Sequence, residues 1–346
     1  MKVDWKKLGE VISVHTGSQL NRGEMTDDGL YPVVNGGKDI SGYTDSFNEK
    51  GNSITISQGG ESAGYVNWIP VKFWAGAHCY VVEDTSTFDK RYLYHTLKNK
   101  ERDLQKSKQG AGIPGLNRNT LYKQSIPVPS LSEQERIVGI LDTFTAAIDN
   151  LKGQIAQRRK QFEHYRDELL DLEGKEGVEM KIEEFCYLKA GKSIKAEEIS
   201  IEPDNNYPCF GGNGIRGYVP FYSHEGDFPI IGRQGALCGC VNWATGKFYA
   251  TEHAVVATGN DKVCQRYLLH LFQHADLNQY KTQGAQPGLS VAKLNEVSFY
   301  IPPLSTQRRI VSILDTFEAS ITNLEAQLKE REKQYEYYRN QLLTFE

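Results

Sequence analysis

The chain contains no CxxC pair, and its six cysteines (Cys79, Cys186, Cys209, Cys238, Cys240 and Cys264) follow neither a zinc-site spacing nor a disulfide framework. No apolar run approaches the roughly 18 to 20 residues that a membrane-spanning helix needs. The N-terminus shows no charged-then-apolar signal segment. These absences predict a soluble protein of the reducing cytoplasm with no membrane partner. A basic excess is missing too: 40 Lys and Arg stand against 44 Asp and Glu, a net charge of −4. That argues mildly against nucleic acid, because phosphate contacts need cations facing the backbone. The totals hide a distribution, however. Residues 1–130 carry 16 basic and 14 acidic side chains, 131–173 carry 6 and 9, 174–300 carry 12 and 14, and 301–346 carry 6 and 7. Any DNA surface must therefore be a local patch on a nearly neutral domain, which suits a protein acting beside positively charged partners.

Catalytic signatures are equally scarce. Lys189, Gly191, Lys192 and Ser193 superficially resemble a phosphate loop, but Cys186 stands where the first glycine is required. The run Phe210-Gly211-Gly212-Asn213-Gly214 resembles a methyl-donor loop, which would make the chain a methyltransferase. No Asn-Pro-Pro-Tyr or Asp-Pro-Pro-Tyr motif follows it, and the duplicated site Val34-Asn35-Gly36-Gly37 lacks the Phe, so a turn between strands is the better reading. His78 and His253 have apolar neighbours and read as core histidines rather than bases or ligands. Cys238-Gly239-Cys240 reads as free thiols. No catalytic or metal residue is assigned.

What the sequence does have is an internal repeat. Residues 131–170 align without gaps to 304–343, with 24 of 40 positions identical at a shift of 173, half the chain. Upstream, Tyr31-Pro32, Gly36-Gly37 and Gly42-Tyr43 echo Tyr207-Pro208, Gly211-Gly212 and Gly217-Tyr218. Further echoes pair Gln58-Gly59 with Gln234-Gly235, Val66-Asn67-Trp68 with Val241-Asn242-Trp243, Lys72-Phe73 with Lys247-Phe248, His78 with His253, and Pro114-Gly115-Leu116 with Pro287-Gly288-Leu289. The chain is a tandem duplication of a globular part followed by a helical part, and the globular parts have diverged more.

In the first helical part Ile137, Leu141, Phe144, Ile148, Leu151, Ile155, Phe162, Tyr165, Leu169 and Leu172 alternate steps of four and three, interrupted only at Arg158. The second copy gives Ile310, Leu314, Phe317, Ile321, Leu324, Leu328, Tyr335, Tyr338, Leu342 and Phe345, interrupted at Arg331. Ser132 and Glu135 form a capping-box signature after Pro127 and Pro129, and Pro302-Pro303 precedes Ser305 in the second copy. A helix of about 40 residues is about 60 Å long, too long for one small core to bury. The simplest partner for each helix is the other, antiparallel, with pseudo-two-fold symmetry and helix-pairing residues Ile137, Leu141, Phe144, Ile148, Leu151, Ile310, Leu314, Phe317, Ile321 and Leu324. Arg158 and Arg331 either fix the register or extend to solvent.

The globular parts mix β-rich runs (53–57 and 255–257), Gly-centred turns and helical stretches at 90–104 and 263–280. The expected fold is α+β: a first recognition-type domain at 1–130, a central long helix at 131–173, a second domain at 174–303 and a C-terminal long helix at 304–346.

The run Ile126-Pro127-Val128-Pro129, Leu131-Ser132, Gln134 and Arg136-Ile137-Val138, repeated as Pro302-Pro303-Leu304-Ser305, Gln307 and Arg309-Ile310-Val311, resembles the specificity subunits of type I restriction-modification systems. The resemblance covers nearly the whole chain, since that family alternates variable target-recognition domains with long helical repeats. It implies a non-catalytic subunit on double-stranded DNA, each domain reading half of a bipartite target and the helix pair setting the gap. It further implies two modification subunits that flip out and N6-methylate an adenine in each half-site from S-adenosylmethionine. Restriction/translocase subunits using ATP and Mg2+ would join for cleavage, so this chain holds no cofactor of its own. Base reading favours Arg, Lys, Gln and Asn, and phosphate contact favours Lys and Arg near glycines. On that chemistry the DNA-binding candidates are Lys38, Lys106, Lys108, Gln109 and Arg118 in the first domain, and Lys192, Arg216, Arg233, Lys281 and Gln283 in the second.

A competing reading is a coiled-coil scaffold joining two protein-binding domains. Retention of Gln134, Arg136, Asp142, Asn150, Gln154, Lys160 and Arg166 in both copies favours two identical partners bound alike over a scaffold.

Overall fold

The computed structural model describes residues 3–83, 88–108, 114–172, 177–204, 206–235, 238–282 and 288–345. The chain divides into two compact units, one of residues 1–152 with 326–346 and one of residues 153–325. Each unit combines one globular segment with part of both long helices. Among the described residues no helix is long and apolar enough to cross a membrane.

In the first unit, strands β1 (Asp4–Lys7), β2 (Val14–Thr16), β3 (Tyr31–Val34), β4 (Gly42–Thr44), β5 (Ser53–Ser57), β6 (Val66–Ile69), β7 (Trp74–Ala75) and β8 (Cys79–Val82) precede helices α1 (Lys90–Asn99), α2 (Glu101–Lys106) and α3 (Arg118–Tyr122), then strand β9 (Ser125–Val128). They form an antiparallel four-stranded sheet in the order β2-β8-β5-β6, a three-stranded sheet β4-β3-β7 and a ribbon β1-β9. The β-branched run Ser-Ile-Thr-Ile-Ser of β5 is buried along its whole length, as is β8, which suits central strands covered on both faces. The Asp89 carboxylate caps α1 by accepting from the Tyr92 amide at 2.9 Å. That helix buries Tyr92, Leu93 and Leu97 against Ile54 and Ile56. The helical stretch expected at 90–104 is broken at Lys100, which ends α1 and precedes α2.

After α4 (Leu131–Leu170), the second unit repeats this plan with β10 (Val178–Lys181), α5 (Ile182–Phe185), β11 (Cys186–Ala190), β12 (Tyr207–Gly211), β13 (Gly214–Val219), β14 (His224–Glu225), β15 (Phe228–Gly232), β16 (Val241–Ala244), β17 (Lys247–Ala250), β18 (Ala254–Gly259), α6 (Gln265–His274), α7 (Val291–Asn295) and β19 (Ser298–Ile301). Its sheets run β11-β18-β15-β16, β13-β12-β17-β14 and β10-β19. The parallel pairing of β3 with β7 recurs as β12 with β17. Expected helix 263–280 is shorter: α6 stops at His274, and Asp276 adopts a left-handed conformation before a single 3-10 turn. Both globular parts are therefore α+β with one topology.

The long helices α4 and α8 (Leu304–Leu343) enter the domain cores at their starts. Ile137 and Leu141 are fully buried with Ile54, Tyr92 and Leu343, and Ile310 and Leu314 with Ile182, Tyr267 and Leu170. Their capping lies two residues earlier than the capping-box signature predicts. The Ser130 carbonyl accepts from the amides of Glu133 and Gln134, and that of Pro303 from Gln307, so Ser132 lies inside the helix.

Within each unit the two helices run antiparallel. In the first, Phe144 stacks on Tyr338 with ring centres 5.2 Å apart and Lys152 pairs with Glu332. In the second, Tyr165 stacks on Phe317 at 5.4 Å and Arg159 pairs with Glu325 at 2.5 Å. Ile148 and Ile155 are buried, while Phe144, Leu151, Phe317, Ile321 and Leu324 are half-buried. The seam arginines do more than reach solvent. The Arg331 guanidinium lies 5.8 Å from the Phe144 ring centre and that of Arg158 lies 5.7 Å from Phe317, each on the opposite helix.

Two retained polar residues fasten each domain to its helix. Buried Gln134 accepts from the Asp89 amide at 2.9 Å and donates to the Pro129 carbonyl at 3.0 Å. Gln307 accepts from Cys264 and donates to Lys262 and Pro302. Asp142 binds Arg91 and buried His95, and Asp315 binds Arg266 and buried His270. Retention at these four positions thus has an explanation inside the chain, as well as the partner docking expected from sequence.

Candidate nucleic-acid interface

In each unit three loops meet at the ends of the sheets. In the first, the Gln58 amide donates to the His78 carbonyl at 2.9 Å and the Leu116 amide to the Gln58 carbonyl at 2.7 Å, and Gly59 bridges Gly115. In the second, the Arg233 amide donates to the His253 carbonyl at 2.9 Å and the Leu289 amide to the Arg233 carbonyl at 2.8 Å, and Gln234 bridges Gly288. The equivalent residues are therefore Gln58 and Arg233, Gly59 and Gln234, Gly60 and Gly235. This corrects by one residue the sequence pairing of Gln58-Gly59 with Gln234-Gly235. The shift of 175 that relates Val66-Asn67-Trp68 to Val241-Asn242-Trp243 also holds here. Gly60 and Gly235 have φ of +77° and +89°, a backbone that side chains other than glycine adopt only with strain.

Several predicted contacts gather at these loops. In the first unit exposed Lys38 lies 5.9 Å from the Tyr65 ring centre, and Lys108 donates to the Glu61 carbonyl at 2.8 Å. Arg118 opens α3 with its guanidinium 5.8 Å from the ring of Tyr80, whose hydroxyl donates to the Leu116 carbonyl. Burial raises the pKa of the Tyr80 hydroxyl, and the Gln58 amide and Arg118 act against that rise. Lys106 is exposed at the end of α2.

In the second unit Arg233 is half-buried, and its Nε has neither solvent nor a hydrogen-bond partner among the described residues. Lys281 donates to Asn278 at 2.7 Å, and Asn278 in turn to the Cys238 carbonyl. Exposed Arg216 is the unpaired residue of a bulge in β13 with its side chain beside Gly211, and the neighbouring Gly212 lies against the Gln234 carbonyl. Lys192 is exposed on the segment leaving β11, where its carbonyl accepts from the Tyr249 hydroxyl. Gln109 and Gln283 lie outside the described residues.

The histidines depart from the sequence reading. His78 is exposed rather than core, and His253 is half-buried with an unpartnered Nδ1, its Nε2 lying 3.3 Å from Glu252. Apolar neighbours misled because Val81 and Val256 lie on the following strands, while each histidine sits on the loop before its strand. Gln58 was also missed; correct placement of the one-residue offset would have found it. The run Phe210-Gly211-Gly212-Asn213-Gly214 is a hairpin joining β12 to β13, with Gly214 at φ +84°.

These loops present amides, guanidinium and ammonium groups around glycines, a chemistry suited to base edges and phosphates. A model of the type I restriction modification DNA specificity domain matches residues 2–158 and again 175–333. The specificity subunit of the type I restriction enzyme EcoprrI from Escherichia coli is 38% identical over 251 residues, 68% of this chain and 62% of that protein. A putative type I restriction enzyme specificity subunit of Haemophilus influenzae is 34% identical over 188 residues, 51% of this chain and 48% of its own length. The chain thus spans about half to three-fifths of these two relatives. Among solved structures, the S subunit of a type I restriction-modification system from M. genitalium matches with a TM-score of 0.76 at 21% identity, covering 100% of this chain and 97% of that one. Two matches to one domain model, on two units of one topology, place the chain in the family of specificity subunits of type I restriction-modification systems, the non-catalytic part of those enzymes.

Proposed function

We propose that the chain binds a bipartite DNA sequence and directs methyltransferase subunits to it, the domain at 1–130 reading one half-site and that at 174–303 the other. The observation that carries this reading is one loop cluster built twice on the same backbone, with different side chains at matching positions: Gln58 against Arg233, Gly59 against Gln234. A retained frame with exchanged readers gives two unlike half-sites. The α4–α8 pair acts as the spacer between them. Two modification subunits supply S-adenosylmethionine and the N6-methylation of a flipped adenine, and translocase subunits supply ATP and Mg2+ chemistry. Exposed cations common to both helices, Arg136 with Arg309 and Lys160 with Lys333, are the docking candidates. The test is co-expression with the cognate modification subunit, co-purification and methylome sequencing. A new bipartite adenine-methylated motif is expected. A stable complex with no such motif, or no complex at all, supports the scaffold instead.

A further inference from the structure

The structure assigns Gln58 and Arg233 as equivalent base-reading residues, one for each half-site; this rests on the DNA-reading function proposed above. Their backbones are held alike, by the carbonyls of His78 and His253 and the amides of Leu116 and Leu289. Only the side chains differ. Gln and Arg are the residues whose planar ends pair two-pronged with adenine and with guanine, respectively, in the major groove. An exchange between them at a fixed backbone position changes the preferred base without moving the frame.

The second unit also shows that this position awaits a partner. Seven buried side-chain atoms lack a hydrogen-bond partner among the described residues, and three of them, Arg233 Nε, Glu252 Oε2 and His253 Nδ1, fall in this one loop cluster. A buried N–H with no acceptor is costly to the free chain, and an arriving acceptor removes that cost. Nothing inside the unit claims the guanidinium: among the described residues Arg233 has no ion pair, whereas Arg266 in the same unit is held by Asp315 and Glu318. In the first unit the Gln58 side-chain amide lies against the Tyr80 hydroxyl and the Arg118 guanidinium 5.8 Å from the Tyr80 ring centre, so an amide and a cation share one tyrosine, and among the described residues Arg118 has no ion pair. Open space above Gly60 and Gly235, where an added Cβ meets no atom within 4 Å, leaves room for a nucleic-acid backbone beside each reader.

The experiment is methylome sequencing of cells expressing the full chain with its modification subunit, comparing wild type with Gln58→Arg and Arg233→Gln. A wild-type culture that yields no motif overturns the underlying DNA-reading function and is recognised before any variant is scored. Given a wild-type motif, Gln58→Arg is expected to change the required base at one position of one half-site, and Arg233→Gln at one position of the other, with the spacing intact. In binding to synthetic duplexes, discrimination against the wild-type base change should fall by about 10- to 100-fold. An unchanged motif in both variants overturns the assignment. So does a uniform loss of methylation across all sequences by variants that still co-purify with the modification subunit, which is the signature of a phosphate contact. If the exchanges prevent assembly, Gln58→Ala and Arg233→Ala, which remove the two-pronged groups, provide the same readout: relaxed preference at the same positions supports the assignment, and an unaltered motif overturns it.

Discussion

Asp142 Oδ1 lies 2.7 Å from Nε2 of His95, a histidine with no solvent exposure that belongs to α1 while the carboxylate belongs to α4. Burial holds the His95 pKa below the ordinary histidine value, against the pull of Asp142. At Asp142 burial acts to raise the pKa, but hydrogen bonds from His95 and Arg91 outweigh it and hold the group at about 2. His270 is lowered for the same first reason as His95. Both kinds of group bind protons more weakly folded than unfolded, so their stabilisation is complete above about pH 6.5 and is lost on acidification. The histidines act first as pH falls below 6.5, and Asp142 acts later as pH falls from about 4 toward 2. The urea midpoint should therefore drop between pH 7 and pH 5; a rise over that interval would mean that the carboxylates' pull on His95 and His270 outweighs their burial. Asp142→Asn should cost about 1–2 kcal/mol at pH 7, the lower part of the range because the carboxylate is 36% exposed.

The Nδ1 of His95 has a partner in the Tyr335 hydroxyl at 3.0 Å, whereas His270 Nδ1 is buried with no hydrogen-bond partner among the described residues and faces Glu318 Oε1 only at 3.9 Å. The residue matching Tyr335 in the repeat is Phe162, which packs on the core of the second unit. Phe162→Tyr should supply the missing hydroxyl and stabilise by about 0.5–1.5 kcal/mol. Thermal unfolding measures it, and a lowered midpoint would show that the two histidine sites are built differently.

Gln134 and Gln307 join helix starts to domains through buried bonds at both ends of the amide. Replacing either with Leu strands the amides of Asp89 or Cys264 and the facing carbonyls, a loss of about 1–3 kcal/mol in denaturant titration. Destabilisation below about 0.5 kcal/mol would mean that water replaces the amide at little cost.

Lys152–Glu332 is an exposed pair 3.8 Å apart. Reversing both charges, Lys152→Glu with Glu332→Lys, should restore most of what each single reversal loses, with a coupling of about 0.2–1 kcal/mol that shrinks in high salt. A double-mutant cycle at low and high salt measures it; zero coupling at low salt removes the pair from any role in helix pairing.

Arg118→Ala and Arg216→Ala should each weaken binding to methylatable DNA in the assembled complex and lower the slope of log K against log salt by about one. Affinity and slope unchanged for both would move the DNA surface away from these loops.

The fold was legible because its signals are long. Two heptad patterns gave α4 and α8, and the 173-residue shift revealed the duplication. Edges were less legible. Ser132 with Glu135 has a capping pattern, but the cap falls at Ser130, because a side-chain motif does not reveal where the preceding Pro-rich strand ends. Helix α1 breaks at Lys100 although its composition favours continuation, and Leu97 and Leu104 on either side of the break are buried in one core. At the interface, Lys38, Lys108 and Arg118 are each placed by a residue of another segment, Tyr65, Glu61 and Tyr80 respectively. Residue chemistry identified the cations, while the equivalence of Gln58 and Arg233 needed backbone hydrogen bonds that no alignment of side chains records.

Across the helix seam α4 supplies both cations, Lys152 and Arg159, and α8 both anions, Glu332 and Glu325. The four positions are related by the repeat, 152 to 325 and 159 to 332, so an antiparallel pair of two α4 copies would set Lys152 against Arg159, and two α8 copies Glu325 against Glu332. Halves that arose as twins now carry opposite electrical addresses. These two contacts favour the unlike pair over two copies of either helix.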